Sequence, residues 1–367
     1  MPLTAGIIGL PNVGKSTLYN ALTKSQALTA NYAFTTIEPN IGNVIVPDDR
    51  LSVLTSLFSP NKVTPTSIEV TDIAGLVKGA HQGEGLGNQF LSHIRNVDAV
   101  LHVVRCFDDG QVTHVDGDIN SIRDIENIET ELILADLDLI EKRLPKIEKK
   151  AILNVDPDIS KEFQLLKQLE ETLQKGEPLR VLKLNAFERN LIKSYGFLTL
   201  KPMMYVVNIG ENDLTLSKDK EEVRRVYEYA EKRNDAVLTI CADLEAMLSE
   251  LDDEEKLLYI ETLELTQTGI EQMINAIYSL LGLETFFTTE NQQLRAWTFR
   301  RGMNAQECAG IIHSDFEKGF IRAEVIHYDE LLACENYSEA KRVGKVRSEG
   351  KAYSVKDGDI IVFRFNV

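Results

Sequence analysis

Residues 9–17 read GLPNVGKST, and this stretch decides the fold class. Its spacing, G-x-x-x-x-G-K-S, is that of a P-loop, whose backbone wraps the phosphates of a nucleotide. A short apolar run at 5–8 precedes it, and apolar residues at helical spacing follow it from residue 18. Strand, loop and helix in this order favour phosphate binding over an incidental glycine-rich turn.

The P-loop pattern predicts a role for each part of the segment. Backbone amides at the helix N-terminus would face the phosphates. Lys15 would reach the β- and γ-phosphate oxygens, and the Ser16 hydroxyl would coordinate Mg²⁺. The predicted nucleotide contacts of this loop are Asn12, Val13, Gly14, Lys15, Ser16 and Thr17.

Two further segments fit the same chemistry. Asp72 ends an apolar run and begins the sequence DIAG, which predicts a magnesium shell at Asp72 and a γ-phosphate contact from the Gly75 amide. Thr36, in a polar loop ahead of a strand, offers a second hydroxyl to the metal. Each signal alone is weak, because Asp-x-x-Gly is common in turns. In this order behind a P-loop, they predict the switch loops of a nucleotide-dependent switch.

The rest of the first 281 residues predicts an α/β fold with a doubly wound, mostly parallel sheet. Short β-branched runs alternate with helical stretches, as in parallel sheets that are covered on both faces. Besides residues 5–8, the predicted strands are 41–46, 67–71, 99–104, 203–207 and 237–240.

Residues 121–200 interrupt this pattern. Apolar residues recur at spacings of three and four over 133–147 and 163–173, on either side of Pro157. The pattern predicts a coiled-coil-like helical hairpin inserted in the nucleotide-binding domain. Two ordinary amphipathic surface helices would fit it as well.

The C-terminal region has a strand–helix–strand pattern of its own, typical of a small α+β domain. Asn304 can cap a short helix there, and a basic helix is predicted at 339–348. The predicted domains are therefore 1–281, which contains the helical insertion, and 282–367.

Composition excludes several classes of protein. The 367 residues are 43% hydrophobic and 26% charged, which indicates a globular chain, and no apolar run approaches the ~18 residues of a membrane span. The four cysteines are scattered without metal-ligand spacing, and the N-terminus lacks the features of a signal peptide. We therefore expect a cytoplasmic protein without a membrane partner.

Charge is distributed unevenly. The net charge is −17, but residues 283–367 carry 12 basic and 13 acidic side chains, a net of 12 − 13 = −1. The strongly acidic remainder argues against non-specific nucleic-acid binding by the whole surface, and no specific DNA partner is expected. The C-terminal region can approach a polyanion such as RNA.

The chain resembles the YchF family of Obg-type P-loop NTPases. The resemblance rests on the P-loop at 9–17, on the glycine-rich run 72–88, and on residues 313–323, which are similar to the TGS domain, a ubiquitin-like β-grasp module. It covers essentially the whole chain, including the helical insertion. It implies Mg²⁺-dependent hydrolysis of ATP in preference to GTP, and binding to the ribosome, with the large subunit and its RNA as expected partners.

The sequence at 208–211, Asn-Ile-Gly-Glu, bears on this base preference. Guanine-specific relatives have Asn-Lys-x-Asp, but here the lysine is missing and the longer Glu211 displaces its carboxylate. The Asn208 amide and backbone groups near Ile209 can satisfy the N6 donor and N1 acceptor of adenine. Asn208, Ile209 and Glu211 are thus the predicted base contacts, and a degenerate loop without base preference is the alternative.

Catalysis lacks the usual glutamine, because Leu76 follows the DIAG sequence and an apolar side chain cannot orient water. His114 lies beyond the strand at 99–104, on the loop edge that faces nucleotide in such sheets, and is our candidate for this role. His81 is the alternative, and either can be an ordinary surface histidine. The predicted catalytic set is His114, Asp72 and Gly75.

Two other functions remain open at this point. The first is a GTP-dependent switch. The second is an RNA- or ribosome-binding module in which the nucleotide is a structural ligand and hydrolysis is incidental.

Overall fold

The predicted sheet around the P-loop is present in the computed structural model, which describes residues 3–27, 41–73, 86–108, 119–153, 156–214, 220–263, 265–334 and 336–366. The described strands are β1 (Thr4–Ile8), β2 (Ile41–Ile45), β3 (Lys62–Thr64), β4 (Ser67–Asp72), β5 (Ala99–Arg105), β6 (Met203–Asn208), β7 (Ala236–Ile240), β8 (Leu283–Glu290), β9 (Gln293–Arg300), β10 (Phe320–His327), β11 (Arg347–Glu349) and β12 (Asp359–Phe365).

The described α-helices are α1 (Lys15–Ala27), α2 (Arg50–Phe58), α3 (Leu86–Asn96), α4 (Ser121–Ile152), α5 (Pro157–Gln174), α6 (Ala186–Ile192), α7 (Glu221–Arg233), α8 (Ala242–Leu248), α9 (Asp253–Thr262), α10 (Gly269–Leu280), α11 (Ala305–Ile312), α12 (Ser314–Lys318), α13 (Tyr328–Leu332) and α14 (Tyr337–Arg342). None of these helices combines the length and apolar character needed to cross a bilayer.

One sheet has the strand order β2-β4-β1-β5-β6-β7. Strand β1 pairs in parallel with β4 and β5, β5 with β6, and β6 with β7. Every residue of β5 and β6 is buried, which explains their mostly apolar sequence; His102, Arg105 and Asn208 are the buried polar residues among them. The predicted doubly wound fold is confirmed, and its parallel strands direct the P-loop, Asp72 and residue 208 to one edge of the sheet.

The insertion contains two helices that pack on each other, α4 and α5, as the predicted hairpin requires. Their shared core is made of the heptad-like apolar positions and includes Ile133, Ile140, Leu144, Ile147, Leu165, Leu166, Leu169 and Leu173. Pro145 lies inside α4, which continues past it to Ile152. Coiled-coil geometry in this insertion stays a prediction.

A buried ionic cluster ties the insertion to the sheet. The Arg180 guanidinium donates to the carboxylates of Asp235 at 2.8 Å and Glu129 at 2.5 Å, and to the Tyr205 hydroxyl at 3.2 Å. The side chains of Arg180, Glu129 and Asp235 are only 5–6% exposed. Loss of one partner would leave an uncompensated buried charge, so the cluster holds the base of the hairpin in one arrangement.

Asp136 of α4 provides a second anchor. Its side chain is fully buried and accepts bonds from the Leu198 amide at 2.9 Å, the Thr199 amide at 2.8 Å and the Thr199 hydroxyl at 2.7 Å. Burial raises the pKa of Asp136 from 3.8 to about 6, although these hydrogen bonds act in the opposite direction.

This raised pKa predicts a pH-dependent stability. Between pH 4 and 6 the unfolded chain releases the Asp136 proton while the folded protein keeps it, so the stability contribution falls as pH rises. We expect about 2 kcal/mol of stability to be lost from this group between pH 4 and 7. Urea unfolding at several pH values, compared with Asp136→Asn, isolates the effect. A wild-type-minus-variant difference that does not change with pH would contradict it.

The second sheet has the strand order β11-β10-β12-β8-β9-β3 and both parallel and antiparallel pairs. One face carries a core around Phe286, Phe299 and Cys308 of α11, and the other buries Leu54 of α2 beside Phe287. The predicted α+β character is confirmed, and the architecture is consistent with a β-grasp module. Asn304 caps α11 with a reciprocal capping box to Glu307, as predicted.

The domain boundaries differ from those predicted. Contacts divide the chain into a unit of residues 1–42 and 69–273 and a unit of residues 43–68 and 274–367. Residues 43–68 therefore belong with the C-terminal region, because β3 pairs with β9 and α2 packs in its core. The basic helix predicted at 339–348 is also shorter, since α14 ends at Arg342 and residues 347–349 form β11.

Candidate nucleotide-binding site

The P-loop connects the end of β1 to the start of α1 through three residues with positive φ. These are Gly9 at 155°, Asn12 at 63° and Gly14 at 96°. A Cβ atom added to Gly9 would lie 2.6 Å from the Val103 carbonyl oxygen, and one on Gly14 would lie 2.3 Å from Nδ2 of Asn208. Both glycines of the motif are therefore required by backbone conformation and by close packing.

Lys15 folds back over this loop. Its ammonium donates to the Leu10 carbonyl at 2.6 Å, and the residue is only 8% exposed. Burial lowers the pKa of Lys15, while the negative charge of Asp72 acts to raise it. The ammonium of Lys15 is thus buried at the loop, on a flexible side chain, where the phosphates of a nucleotide are predicted to bind.

Ser16 and Asp72 lie together beside the loop. The Ser16 hydroxyl is 3.3 Å from Oδ2 of Asp72. The other carboxylate oxygen, Oδ1, is buried and has no hydrogen-bond partner within the described residues. Hydroxyl and carboxylate oxygens are the donors that Mg²⁺ prefers, so the two side chains fit this metal.

This metal site has few protein ligands. The described part of the chain contains no group of three or more His, Cys, Asp or Glu side chains that could hold a metal ion. Mg²⁺ commonly binds through one or two protein oxygens, with water and substrate phosphates completing its coordination. Ser16 and Asp72 are consistent with that mode of binding.

Asn208 at the end of β6 connects the P-loop to the N-terminus of α8. Its Nδ2 donates to the Val13 carbonyl at 3.0 Å, and its Oδ1 accepts from the Ala242 amide at 2.9 Å. The residue is 4% exposed. The sequence predicts a base contact for this amide, and its role in positioning the P-loop is visible only in the structure. Its second N–H and the second acceptor site of Oδ1 remain for the predicted adenine contact.

The two other predicted base contacts differ in exposure. The Ile209 amide donates to the Ile240 carbonyl at 2.9 Å, and the Ile209 side chain is buried. Glu211 is exposed at the start of a short 3-10 turn. A contact from this loop to adenine would therefore involve backbone carbonyls or the Glu211 carboxylate more readily than the Ile209 amide.

Lys220, which no sequence motif marks, holds the turn after residues 208–211 in place. The Lys220 ammonium donates to the Asp213 carboxylate at 2.5 Å and to the Cys106 carbonyl at 3.2 Å. It therefore joins the turn after the base loop to the residue that follows β5. No local motif marks Lys220, because its partners lie 7 and 114 residues away.

Several predicted residues fall outside the described ranges. They are Thr36, Gly75, Leu76, His81 and His114. The structure brings the P-loop, Asp72 and the base loop to one sheet edge, and the roles assigned to the other residues stay predictions.

A parallel sheet whose first strand enters a G-x-x-x-x-G-K-S loop, with the lysine buried over it, defines a P-loop NTPase fold. Family models agree: residues 4–136 match a family described as 50S ribosome-binding GTPase. Residues 283–366 match the C-terminal domain family of YchF GTPases, described as a protein of unknown function (DUF933).

Individual relatives are similar over their whole length. The chain is 53% identical to the Ribosome-binding ATPase YchF of Bacillus subtilis and 47% identical to that of Escherichia coli O157:H7, with all of each chain covered. A solved structure of the Schizosaccharomyces pombe YchF GTPase matches with a TM-score of 0.89 and 34% identity, covering 99% of this chain and 98% of that one. The chain belongs to the YchF family.

Proposed function

We propose that this protein is a Mg²⁺-dependent ATPase that binds the ribosome in the cytoplasm and acts as a nucleotide-controlled switch. The preference for ATP over GTP is supported by the loop at 208–211, which lacks the lysine and aspartate of guanine-specific relatives. Ribosome binding is supported by the names of the bacterial relatives, and the large subunit by the description of the matching N-terminal family. Contact with ribosomal RNA is proposed from the sequence, whose C-terminal region is nearly neutral.

The chain's own residues would divide the work on the triphosphate. Lys15 would exchange its bond to the Leu10 carbonyl for the phosphate oxygens, since an ionic acceptor binds an ammonium more strongly. The Ser16 hydroxyl would coordinate Mg²⁺ directly, and the Asp72 carboxylate would hold it directly or through a water molecule. The bound metal would neutralise charge on the β- and γ-phosphates.

His114 would orient the attacking water, with the Gly75 amide at the γ-phosphate. Two points support this assignment: Leu76 cannot hold water, and His114 follows in sequence the strand β5, which ends at the nucleotide edge of the sheet. Thr36 would supply the second magnesium hydroxyl of the switch.

A GTP-dependent switch is the second candidate. It is favoured by the description of the matching N-terminal family and by the name of the fission yeast relative, which both refer to a GTPase. Affinities for ATP and GTP, measured side by side on nucleotide-stripped protein, separate the two. Tighter binding of GTP would overturn the ATPase proposal.

A binding module with a structural nucleotide is separated by a different measurement. The measurement is single-turnover ATP hydrolysis with and without ribosomes. An ATPase switch would hydrolyse ATP in at least one of these conditions. Absence of hydrolysis in both conditions, with normal ribosome binding, would favour the module.

Restoring the guanine-reading residues tests the base loop directly. We expect Glu211→Asp combined with Ile209→Lys to shift the affinity ratio toward GTP, because a correctly placed carboxylate accepts from guanine N1 and its amino group. Ile209 is buried, so Glu211→Asp alone serves as the matched control without a new buried ammonium. An unchanged ATP/GTP ratio in the folded double variant would mean that base choice is made elsewhere.

A further inference from the structure

Helix α9 half-buries Ile260 but leaves two adjacent leucines in water. Leu257 and Leu258 are 61% and 65% exposed. The half-buried residues of the same helix include Lys256, whose charge acts on the buried Glu245 carboxyl. Surface helices normally bury an apolar stripe and leave lysines in water. Two adjacent exposed leucines therefore need an explanation beyond folding.

The leucines form a continuous stripe with two carboxylates. Residues three and four apart are neighbours on a helix, so Glu254 and Glu261 flank Leu257 and Leu258 at either end. All four residues are exposed. We call these four residues the acidic leucine stripe.

The surroundings of the stripe are also strongly acidic. Residues 250–263 contain six Asp or Glu and one Lys. Within the described residues, another exposed apolar pair lies in a different setting: Ile152, the last residue of α4, and Leu153, which follows it, are 72% and 74% exposed. Lys149 and Lys150 lie one turn before them. Exposure alone is thus not peculiar to α9, and Leu332 of α13 is also exposed near Asp329 and Glu330. What distinguishes α9 is a pair of adjacent exposed leucines with a carboxylate at either end.

Charge decides the class of partner. Phosphates of RNA would be repelled by this helix, whereas lysine and arginine would be attracted. The leucines require an apolar pocket, which a folded protein offers. The complementary surface is a protein pocket for two leucines with a cationic side chain at each end.

We propose that the acidic leucine stripe of α9 is a docking surface for a basic protein. This rests on the proposed ribosome binding, which makes a basic ribosomal protein the partner. The protein would then contact a ribosomal protein in addition to ribosomal RNA.

The first test removes the apolar contact. We expect Leu257→Ser with Leu258→Ser to weaken binding to purified ribosomes at least tenfold in a sedimentation assay. The matched control, Ile152→Ser with Leu153→Ser, should bind like wild type. Both pairs are exposed, so unfolding midpoints and ribosome-free ATP hydrolysis should be unchanged.

The outcomes separate the two proposals. If wild type binds ribosomes and the α9 variant binds equally well, the stripe is not a docking surface and the proposed function stands. If wild type itself does not bind ribosomes, the proposed ribosome binding fails first, and this inference with it.

The second test identifies the partner's chemistry. A photoreactive phenylalanine analogue in place of Tyr259, which is 42% exposed beside the stripe, is irradiated on purified ribosomes. A cross-link to one basic ribosomal protein, lost in the leucine double variant, is expected. Cross-links only to ribosomal RNA, or only to a second copy of this chain, would overturn the proposal.

Discussion

Replacing Lys15 with alanine is expected to abolish tight triphosphate binding. The ammonium is buried over the P-loop and bonds the Leu10 carbonyl, so it is held close to the predicted phosphate position. Charge-assisted bonds contribute about 1.5–3 kcal/mol each, and loss of two corresponds to roughly 10²–10⁴-fold weaker ATP binding. Isothermal titration of nucleotide-stripped protein measures this directly.

A lysine on the same helix provides the control. Lys24 is exposed and paired with Glu250 at 3.3 Å, so Lys24→Ala should retain ATP affinity. Ser16→Ala should chiefly weaken the Mg²⁺ dependence, because its hydroxyl lies at Asp72 and not at the ammonium. Near-normal ATP affinity in folded Lys15→Ala would remove the basis for the P-loop assignment.

The second large effect concerns hydrolysis. We expect His114→Ala to slow single-turnover ATP hydrolysis by ~10²–10⁴-fold, the range typical of groups that position or deprotonate water. ATP affinity should remain almost unchanged, since the imidazole would act on water and not on the ground-state nucleotide.

His81→Ala tests the same chemistry in the alternative segment. Wild-type hydrolysis by His114→Ala would show that the assignment is wrong. Loss of hydrolysis in His81→Ala alone would move the role to the glycine-rich run after Asp72. If both variants are active, a ribosomal partner, a potassium ion or a backbone group must position the water.

Local sequence was sufficient for much of the fold. The six strands predicted for the nucleotide-binding sheet are present, because β-branched apolar runs between two layers of helices have few alternatives. The P-loop was equally predictable, since its function depends on glycines and a lysine at fixed covalent spacing. The apolar positions of the helical insertion likewise follow from helical periodicity.

Partners that are distant in sequence were not predictable. Asn208 clamps Val13 and Ala242, which lie 195 and 34 residues away, and nothing in its own loop indicates either. The buried bond between Arg180 and Glu129 joins residues 51 apart that would each read as surface charges. Such pairs depend on which elements the folded chain brings together.

The sequence by itself determined the P-loop, the parallel sheet and the helical insertion, because each follows from spacing and periodicity within a short segment. Only the tertiary structure decided that residues 43–68 complete the C-terminal unit, that Asn208 positions the P-loop, and that the leucines of α9 face water. The physical reason is that burial and hydrogen-bond partnership belong to the folded chain as a whole. A local pattern states which residues can be buried, and only packing decides which ones are.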